Sequence, residues 1–368
     1  MKVLQLGKFY PVRGGVEKVM WDLTRGLSGR GIDCDMLCAT LDGEQTIELN
    51  PHGRVFCVPA LAKKAATMIS PAMVRRLRRI CGGYDIIHVH HPDPMACLAL
   101  RLSGYRGKVV LHWHSDILSQ KRLLRLYRPL QRWLTRRADM IVGTTPVYVR
   151  ESPELQDVQH KVTWLPIGID DLSKSEAAPE QIAARWSGRK IVFSLGRLVP
   201  YKGYTYLIQA ASRLDDSYHV VIGGDGPLRE SLQREIDSLG LQERVTLIGR
   251  VSDEDIASWY KACTLFCLSS IWKTEAFAIV QIEAMSCSKP VVATRIPASG
   301  VSWVNEHGVS GLDVAPEDPD ALAEAIRTIC SDEATHDAYC RGARSRYEEH
   351  FTFGRMIDKC IEIYDNII

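Results

Sequence analysis

The sequence predicts an α/β protein of two Rossmann-like, doubly wound domains facing one another across a cleft. Three observations lead there. Short apolar runs alternate with helix-period segments, as in parallel β-α units, and the alternation starts afresh after a polar break. A length of 368 residues suits two domains, each with its own core. Charge also divides: residues 1–170 hold 25 Lys/Arg against 15 Asp/Glu, and residues 171–368 hold 21 against 29. Balances of +10 and −8 imply different partners for the two halves, with the basic half facing something anionic.

In the first half, strand-like runs fall at 2–6, 34–38, 54–58, 85–90, 108–112, 139–143 and 162–166. Helical patterns lie at 15–29, 71–81, 94–103 and 121–137. The stretch 167–189 opens with the polar run Gly168 to Ser175 and is punctuated by Pro179 and Gly188, so it reads as a linker. Strands then follow at 190–195, 218–223, 245–248, 264–268, 290–293 and 311–314. Helices are predicted at 202–213, 227–239, 253–261, 277–286, 319–330 and 334–349, with an amphipathic tail helix from Phe353 to Ile368.

Composition is that of a soluble globular protein, 46% hydrophobic and 24% charged. No apolar run reaches the 18 or more residues that a membrane span needs. Met1 to Leu6 enters a strand directly, without a signal-peptide pattern. The 11 cysteines show no CxxC pair and sit mostly among apolar residues, as reduced core residues of a cytoplasmic protein do. In doubly wound sheets, ligands bind beyond the carboxyl ends of the strands, which directs attention to the strand-helix loops.

The segment 274–284, from Thr274 to Ala284, carries most information. Glu275 and Glu283 bracket an apolar run that reads as a loop entering a helix. Amides from about Phe277 to Val280 then lack helical partners, and an anion such as a phosphate fits there. A carboxylate on either side suits hydroxyls, which together match a sugar nucleotide. A surface helix with two solvated glutamates has the same pattern. Arg197 and Lys202 follow the strand 191–195 and offer a guanidinium fork and a point charge to a diphosphate in an exposed cleft. Gly223-Gly224-Asp225-Gly226-Pro227 ends a strand and starts a helix at Pro227. It is not GxGxxG, which argues against a nicotinamide-dependent oxidoreductase. Gly14 and Gly15 precede a helix whose start favours phosphates.

Histidines cluster at His88, His90, His91, His112 and His114 near two strand ends. Without a helical HExxH they read as hydroxyl or phosphate ligands, or as core residues, rather than as a zinc site. Asp93 and Asp116 have the place of helix caps. Residues 121–137 hold seven cations and no acid, with Leu123, Leu124, Leu126, Tyr127, Leu130, Trp133 and Leu134 at helical spacing. Arg125, Arg128, Arg132 and Trp133 suit an anionic membrane surface, as does the cluster at 75–79. A core-packed helix with a cationic outer face is the alternative. No nucleic-acid motif accompanies the charge.

Taken in order, these motifs resemble glycosyltransferase family 4, the retaining enzymes of GT-B fold. The resemblance also takes in residues 85–90, His112 to Asp116, Leu165 to Asp170, Gly249-Arg250-Val251 and Phe351-Thr352-Phe353. It implies an N-terminal acceptor-binding domain at 1–168, a nucleotide-sugar-binding domain at 169–352, and a tail helix 353–368 returning to the first. It implies that Arg197 and Lys202 bind the donor diphosphate, that Glu283 holds ribose hydroxyls, and that Glu275 contacts the transferred sugar. Amides of Phe277, Ala278 and Ile279 would meet phosphate or sugar, as would Gly14, Gly15 and Gly224. Arg250 and Val251 would read the base, and His114 would sit beside the sugar. Glu275, His114, Arg197 and Lys202 are the catalytic candidates, with His90 and His91 toward the acceptor.

One position departs from that pattern: Ala278 stands where the family usually has glycine. The reaction implied is hexose transfer with retention, needing no metal or other cofactor. The run from Thr274 to Met285 is similar to bacterial O-antigen and capsule mannosyltransferases. That suggests GDP-mannose as donor, a polyprenyl-diphosphate-linked saccharide as acceptor, and a place at the inner face of the cytoplasmic membrane. UDP-glucose, UDP-galactose or a UDP-N-acetylhexosamine fits the same frame.

Overall fold

The computed structural model describes residues 1–12, 14–64, 67–117 and 121–368. The chain divides into two compact units, Met1–Ile167 with Gly354–Ile368, and Gly168–Phe353.

The first unit holds strands β1 (Lys2–Phe9), β2 (Asp33–Thr40), β3 (Gln45–Asn50), β4 (Gly53–Pro59), β5 (Ala62–Lys64), β6 (Thr67–Ile69), β7 (Ile86–His91), β8 (Lys108–Trp113), β9 (Met140–Gly143) and β10 (Val162–Trp164). Eight of them form one sheet in the order β10-β9-β8-β7-β1-β2-β4-β3, parallel except for β3. Its helices are α1 (Gly15–Gly29), α2 (Pro71–Ile80), α3 (Pro94–Ser103), α4 (Lys121–Arg137), α5 (Pro146–Arg150) and the terminal helix of the chain. Central strands are buried on both faces, so they read as near-continuous apolar runs. The terminal helix, Phe353–Asp365, buries Met356, Ile357, Cys360, Ile363 and Tyr364 along one stripe.

The second unit contains α6 (Pro179–Ala183), β11 (Lys190–Leu195), α7 (Tyr204–Ala211), β12 (Tyr218–Gly223), α8 (Arg229–Ser238), β13 (Val245–Gly249), α9 (Ile256–Ala262) and β14 (Leu265–Leu268). It continues with α10 (Ile279–Ser286), β15 (Val291–Thr294), α11 (Val301–Val304), β16 (Gly311–Val314), α12 (Pro319–Ile329) and α13 (Glu333–His350), which makes the terminal helix α14. The sheet is wholly parallel, in the order β13-β12-β11-β14-β15-β16. The chain winds outward from β11 to β13, returns to β14 and winds the other way. The reversal leaves a crevice between the carboxyl ends of β11 and β14.

Several elements differ from their sequence reading. Strand β3 was not expected, because Gln45, Thr46 and Glu48 make it too polar to register as one. It survives as an edge strand paired on one side only. The hairpin β5–β6 and the short helices α5 and α11 are too brief to show a period. The stretch 167–189 is not a plain linker: α6 buries Ile182, and residues 168–189 belong to the second unit. Helices α8 and α10 begin two residues later than predicted, so Pro227 lies in a turn ahead of its helix. All 11 cysteines are free and all but Cys340 are buried. Burial pushes thiols such as Cys263 and Cys267 up to about 12.

One polar clasp closes the second unit. Arg344 of α13 donates from both terminal nitrogens to Asp171, at 3.0 and 2.8 Å, and from Nη1 to the Ser286 carbonyl at 2.6 Å. Those hydrogen bonds from Arg344 hold the Asp171 carboxyl down to about 2. Because the folded value is depressed, the stabilisation is complete above the ordinary carboxylate value near 4 and is lost as pH falls from about 4 to about 2. Replacing Asp171 with Asn should cost about 1 kcal/mol at neutral pH, after allowance for solvent screening, and much less at pH 2, where the folded carboxyl is half protonated. Denaturant unfolding of both proteins at the two pH values checks this, and equal midpoints at pH 7 would exclude the clasp as a stabilising contact.

Candidate active site

The crevice between β11 and β14 is built by three loops packed backbone against backbone. Gly224 has φ +128°, and a Cβ there would run into the Gly196 carbonyl oxygen. Only glycine permits that approach. Gly203 has φ +64°, and its Cβ would meet the Ser269 carbonyl oxygen. Leu198 N donates to the Asp225 carbonyl at 2.9 Å, and Ile271 N to the Tyr201 carbonyl at 2.8 Å. Ser269 Oγ donates to the Lys202 carbonyl at 2.9 Å. The loops at 196–203, 223–226 and 269–271 therefore form one floor.

Lys202 and Glu275 meet above it. Lys202 Nζ lies 2.5 Å from Glu275 Oε2, and Ser270 Oγ donates to the same oxygen at 2.9 Å. Their residues are only 8% and 9% exposed. This corrects the reading of Lys202 as an exposed cleft cation, because its charge is enclosed and compensated. Truncating one partner of such a pair strands the other, at a cost of about 3–5 kcal/mol. Arg197 is different: it is exposed, with no ion pair among the described residues. The glutamate's loop is fixed along its backbone. Ser299 Oγ donates to the Glu275 carbonyl, Gly300 N to the Ala276 carbonyl at 3.0 Å, and Gln281 Nε2 to the Phe277 carbonyl at 3.1 Å.

Helix α10 starts at Ile279, with Ala278 as its N-cap. The Gln281 amide already donates to the Ala278 carbonyl, so Ile279 and Val280 are the helical residues whose amides begin the helix. Glu283 lies little more than one turn in, half-buried, and accepts from the Tyr260 hydroxyl at 2.7 Å. Phe277 is buried and meets the Phe351 ring edge-on. Arg250 is exposed and Val251 half-buried, and both line a cavity of about 250 Å³ shared with Ile182 and Arg185 of the α6 region and Trp259 of α9.

In the first unit, Gly14 caps α1 with extended backbone and Gly15 is its first residue. His88, His90, His112 and His114 form a stacked patch on β7 and the end of β8, where β7 pairs His90 with His112. All are buried. Burial pushes His112 down to about 3 and holds the other three well below the ordinary imidazole value, so the rings are neutral. His90 and His91 are wholly enclosed, which leaves them supporting places rather than direct acceptor contacts. His91 stacks on Trp113 at 3.8 Å. Nitrogens of His88, His90 and His112 lie within 4.8 Å of one another. Their rings are stacked within 16–26° of parallel, so their lone pairs lie in near-parallel planes and do not converge as tetrahedral metal ligation requires. Asp93 caps α3 through Oδ1, and its Oδ2 accepts from the Lys8 amide at 2.5 Å. Asp116 instead accepts from Trp113 Nε1 and Ser152 Oγ.

Arg125, Arg132 and Arg136 of helix α4 are exposed. Arg125, Arg128, Arg132 and Arg136 border a groove of about 650 Å³ with Pro129 and Trp133. Arg128 pairs with Glu154 at 3.2 Å, whereas Arg125, Arg132 and Arg136 have no ion pair among the described residues. Leu126, one of the apolar residues at helical spacing in this segment, is 81% exposed. Leu123 lies among residues whose side chains are not described. No described helix is long and apolar enough to cross a membrane.

Residues that sequence reasoning did not single out are Gln5, Lys8, Ser270, Gln281, Ser299 and Tyr364. Gln5 carried a signal, being the one polar residue inside the apolar run of β1. Lys8, Ser299 and Tyr364 act across 85, 24 and 359 positions, and Ser270 and Gln281, whose partners lie five and four residues away, carry no motif of their own.

Ala278 has φ +63° and ψ 79°, in the left-handed region. A Cβ in that conformation costs about 1–2 kcal/mol relative to glycine. Ala278→Gly should therefore raise unfolding stability by about 1 kcal/mol, the remainder being offset by the greater freedom of the unfolded glycine chain. Urea melts of the two proteins test this, and a lower midpoint for the glycine variant would show that the methyl packs more favourably than its backbone costs.

The description Glycosyltransferase Family 4 matches residues 13–171, and Glycosyl transferases group 1 matches residues 179–346. The chain is 32% identical over 373 residues to O-antigen chain mannosyltransferase C of Escherichia coli, covering 100% of this chain and 99% of that protein. It is 31% identical to D-rhamnosyltransferase WbpZ of Pseudomonas aeruginosa, covering 96% of this chain and 92% of that one. Among solved structures, Anabaena Alr3699/HepE in complex with UDP and glucose superposes with a TM-score of 0.78 over 100% of both chains, at 22% identity. On these grounds, and with two Rossmann-like α/β units of this topology, the chain belongs to glycosyltransferase family 4 and has the GT-B fold.

Proposed function

We propose that the protein is a retaining glycosyltransferase that moves mannose from GDP-mannose to a hydroxyl of a polyprenyl-diphosphate-linked saccharide in O-antigen assembly. The observation carrying the donor site is the Lys202–Glu275 pair in the β11/β14 crevice, with Arg197 exposed five residues before the lysine. The full-length similarity to an O-antigen mannosyltransferase supports the choice of sugar. In this reading the Gly168–Phe353 unit takes the donor and the Met1–Ile167 unit takes the acceptor.

When donor enters, its diphosphate draws Lys202 and Arg197, and Glu275 becomes available to accept from a sugar hydroxyl. Glu283 takes ribose hydroxyls, Arg250 and Val251 lie along the base, and Gly14, Gly15, Gly224 and the amides of Phe277 to Ile279 approach the phosphates. The bond between the anomeric carbon and the phosphate oxygen breaks as the acceptor oxygen bonds on the same face. The acceptor proton passes to the departing phosphate oxygen. Charge builds on the diphosphate, where the fixed cations and amides stabilise it without a metal. In this reading His114 is the first unit's contact to the transferred sugar.

A second reading keeps the mechanism and changes the donor to a UDP-sugar, favoured by the UDP and glucose bound in the HepE structure. Thermal unfolding with GDP, UDP and ADP, each with chelator present, separates the two. A nucleotide at a hundred times its dissociation constant adds about 2.7 kcal/mol. GDP should stabilise and UDP should not, and Arg197→Ala should weaken the GDP effect without lowering the ligand-free midpoint. A shift with UDP alone overturns the donor, and one that needs added metal overturns the metal-free mechanism.

The unpaired arginines of α4, with exposed Leu126 between them, suit peripheral contact with anionic lipid at the cytoplasmic face. Reversing the charge at Arg125, Arg128 and Arg132 should release the protein from vesicles containing anionic lipid in a flotation assay. Binding equal to that of the unaltered protein would leave α4 as an ordinary surface helix.

A further inference from the structure

Five side chains form one line of hydrogen bonds inside the first unit. His114 Nε2 lies 2.9 Å from His90 Nδ1, and His90 Nε2 lies 2.8 Å from Gln5 Oε1. Gln5 Nε2 donates to Tyr364 Oη at 3.1 Å, and Tyr364 Oη lies 2.6 Å from His88 Nδ1. The members come from β1, β7, the end of β8 and α14, and Gln5 and Tyr364 are wholly buried.

A neutral imidazole in such a line has one donor and one acceptor, so the direction of any bond dictates the next. Gln5 gives the line its direction. Its amide nitrogen faces Tyr364 Oη and, at 3.8 Å, Cys34 Sγ, while its oxygen faces His90. Since a carbonyl oxygen only accepts, His90 must carry its hydrogen on Nε2 and present Nδ1 as a lone pair. His114 Nε2 must then be the donor to it. At the other end the amide donates to Tyr364, whose hydroxyl hydrogen goes to His88 Nδ1.

We infer that Gln5 and Tyr364 are positioning residues that hold His114 in its Nε2–H tautomer, leaving Nδ1 as its acceptor. This rests on the reading that His114 lies beside the donor sugar. There, a neutral acceptor takes a hydrogen bond from a sugar hydroxyl. An imidazolium would instead set positive charge against an oxocarbenium-like transition state. Burial of the line, and of both positioning residues, keeps water from supplying competing donors.

Long-range proton–nitrogen NMR of the full chain, with histidine labelled by ¹⁵N, reads the tautomers directly. His90 and His114 should both show the Nε2–H pattern. An Nδ1–H pattern at His114 would overturn the inference whatever the activity. Tyr364→Phe removes the hydroxyl that satisfies the Gln5 amide and so frees the amide to turn. His114 should then become a mixture of tautomers, and kcat should fall about five- to tenfold with little change in donor KM. A lower thermal midpoint with the His114 tautomer unchanged would make Tyr364 a structural residue only and overturn its positioning role. Undiminished transfer by His114→Ala, with the tautomer pattern intact in the parent protein, would instead overturn the placement of His114 beside the sugar.

Discussion

The enclosed pair of Lys202 and Glu275 is the constraint around which the second unit is arranged. Two opposite charges can stay in so dry a place only while each satisfies the other. That requirement explains the neighbouring glycines, which let the loops after β11, β12 and β14 come close enough to bring lysine and glutamate together. It also explains why the glutamate's loop is tied at three successive carbonyls by Ser299, Gly300 and Gln281. In the proposed donor complex a phosphate would take the place of the carboxylate beside Lys202, so the ammonium would stay compensated, while Glu275 would exchange its ion pair for a hydrogen bond from a sugar hydroxyl.

Much of this architecture was legible in the sequence because parallel strands buried on both faces leave unmistakable apolar runs. Strands β2, β11, β12 and β16 lie within a residue or two of their predicted bounds, as do helices α1, α3 and α4. Polar or brief elements were not legible. Strand β3 is half solvent-facing, and α6 depends on Ile182 finding the second unit's surface, which no window of sequence reveals. At the site, the residue types were readable but their state was not. Nothing in the spacing of Lys202 and Glu275, 73 positions apart, says that they bond to each other. Likewise Ala278 was visible as an unusual residue, whereas its left-handed backbone needed coordinates.

Backbone strain gathers where the loops are tied. Ala278 and Ala298 both have positive φ, at 63° and 56°, and they belong to the two loops joined through Ser299 and Gly300. Each costs of order 1 kcal/mol. Such conformations persist only where surrounding contacts over-determine them, as the hydrogen bonds to the Glu275, Ala276 and Phe277 carbonyls do here. The strain and the ion pair thus have one cause, a loop held rigidly enough to place a carboxylate without help from a ligand.

The histidine patch follows the opposite logic from the core around it. His88 Nε2 and both ring nitrogens of His112 are buried without a hydrogen-bond partner among the described residues. Each unsatisfied group costs about 1–3 kcal/mol, and valine at these strand positions would avoid that cost. Two further charged groups lie nearby: Asp93, which accepts from the Lys8 amide, and the Lys8 ammonium, which donates to the Pro92 carbonyl, with Lys8 at φ 56°. Burial pushes the lysine down and the aspartate up, so neither charge is cheap to keep. A sheet optimised for stability alone would not assemble these groups. The patch makes sense if its stability cost is offset by fixing one imidazole at its edge in a single protonation state. In that arrangement Gln5, the one polar residue of β1's apolar run, has a physical reason to be there.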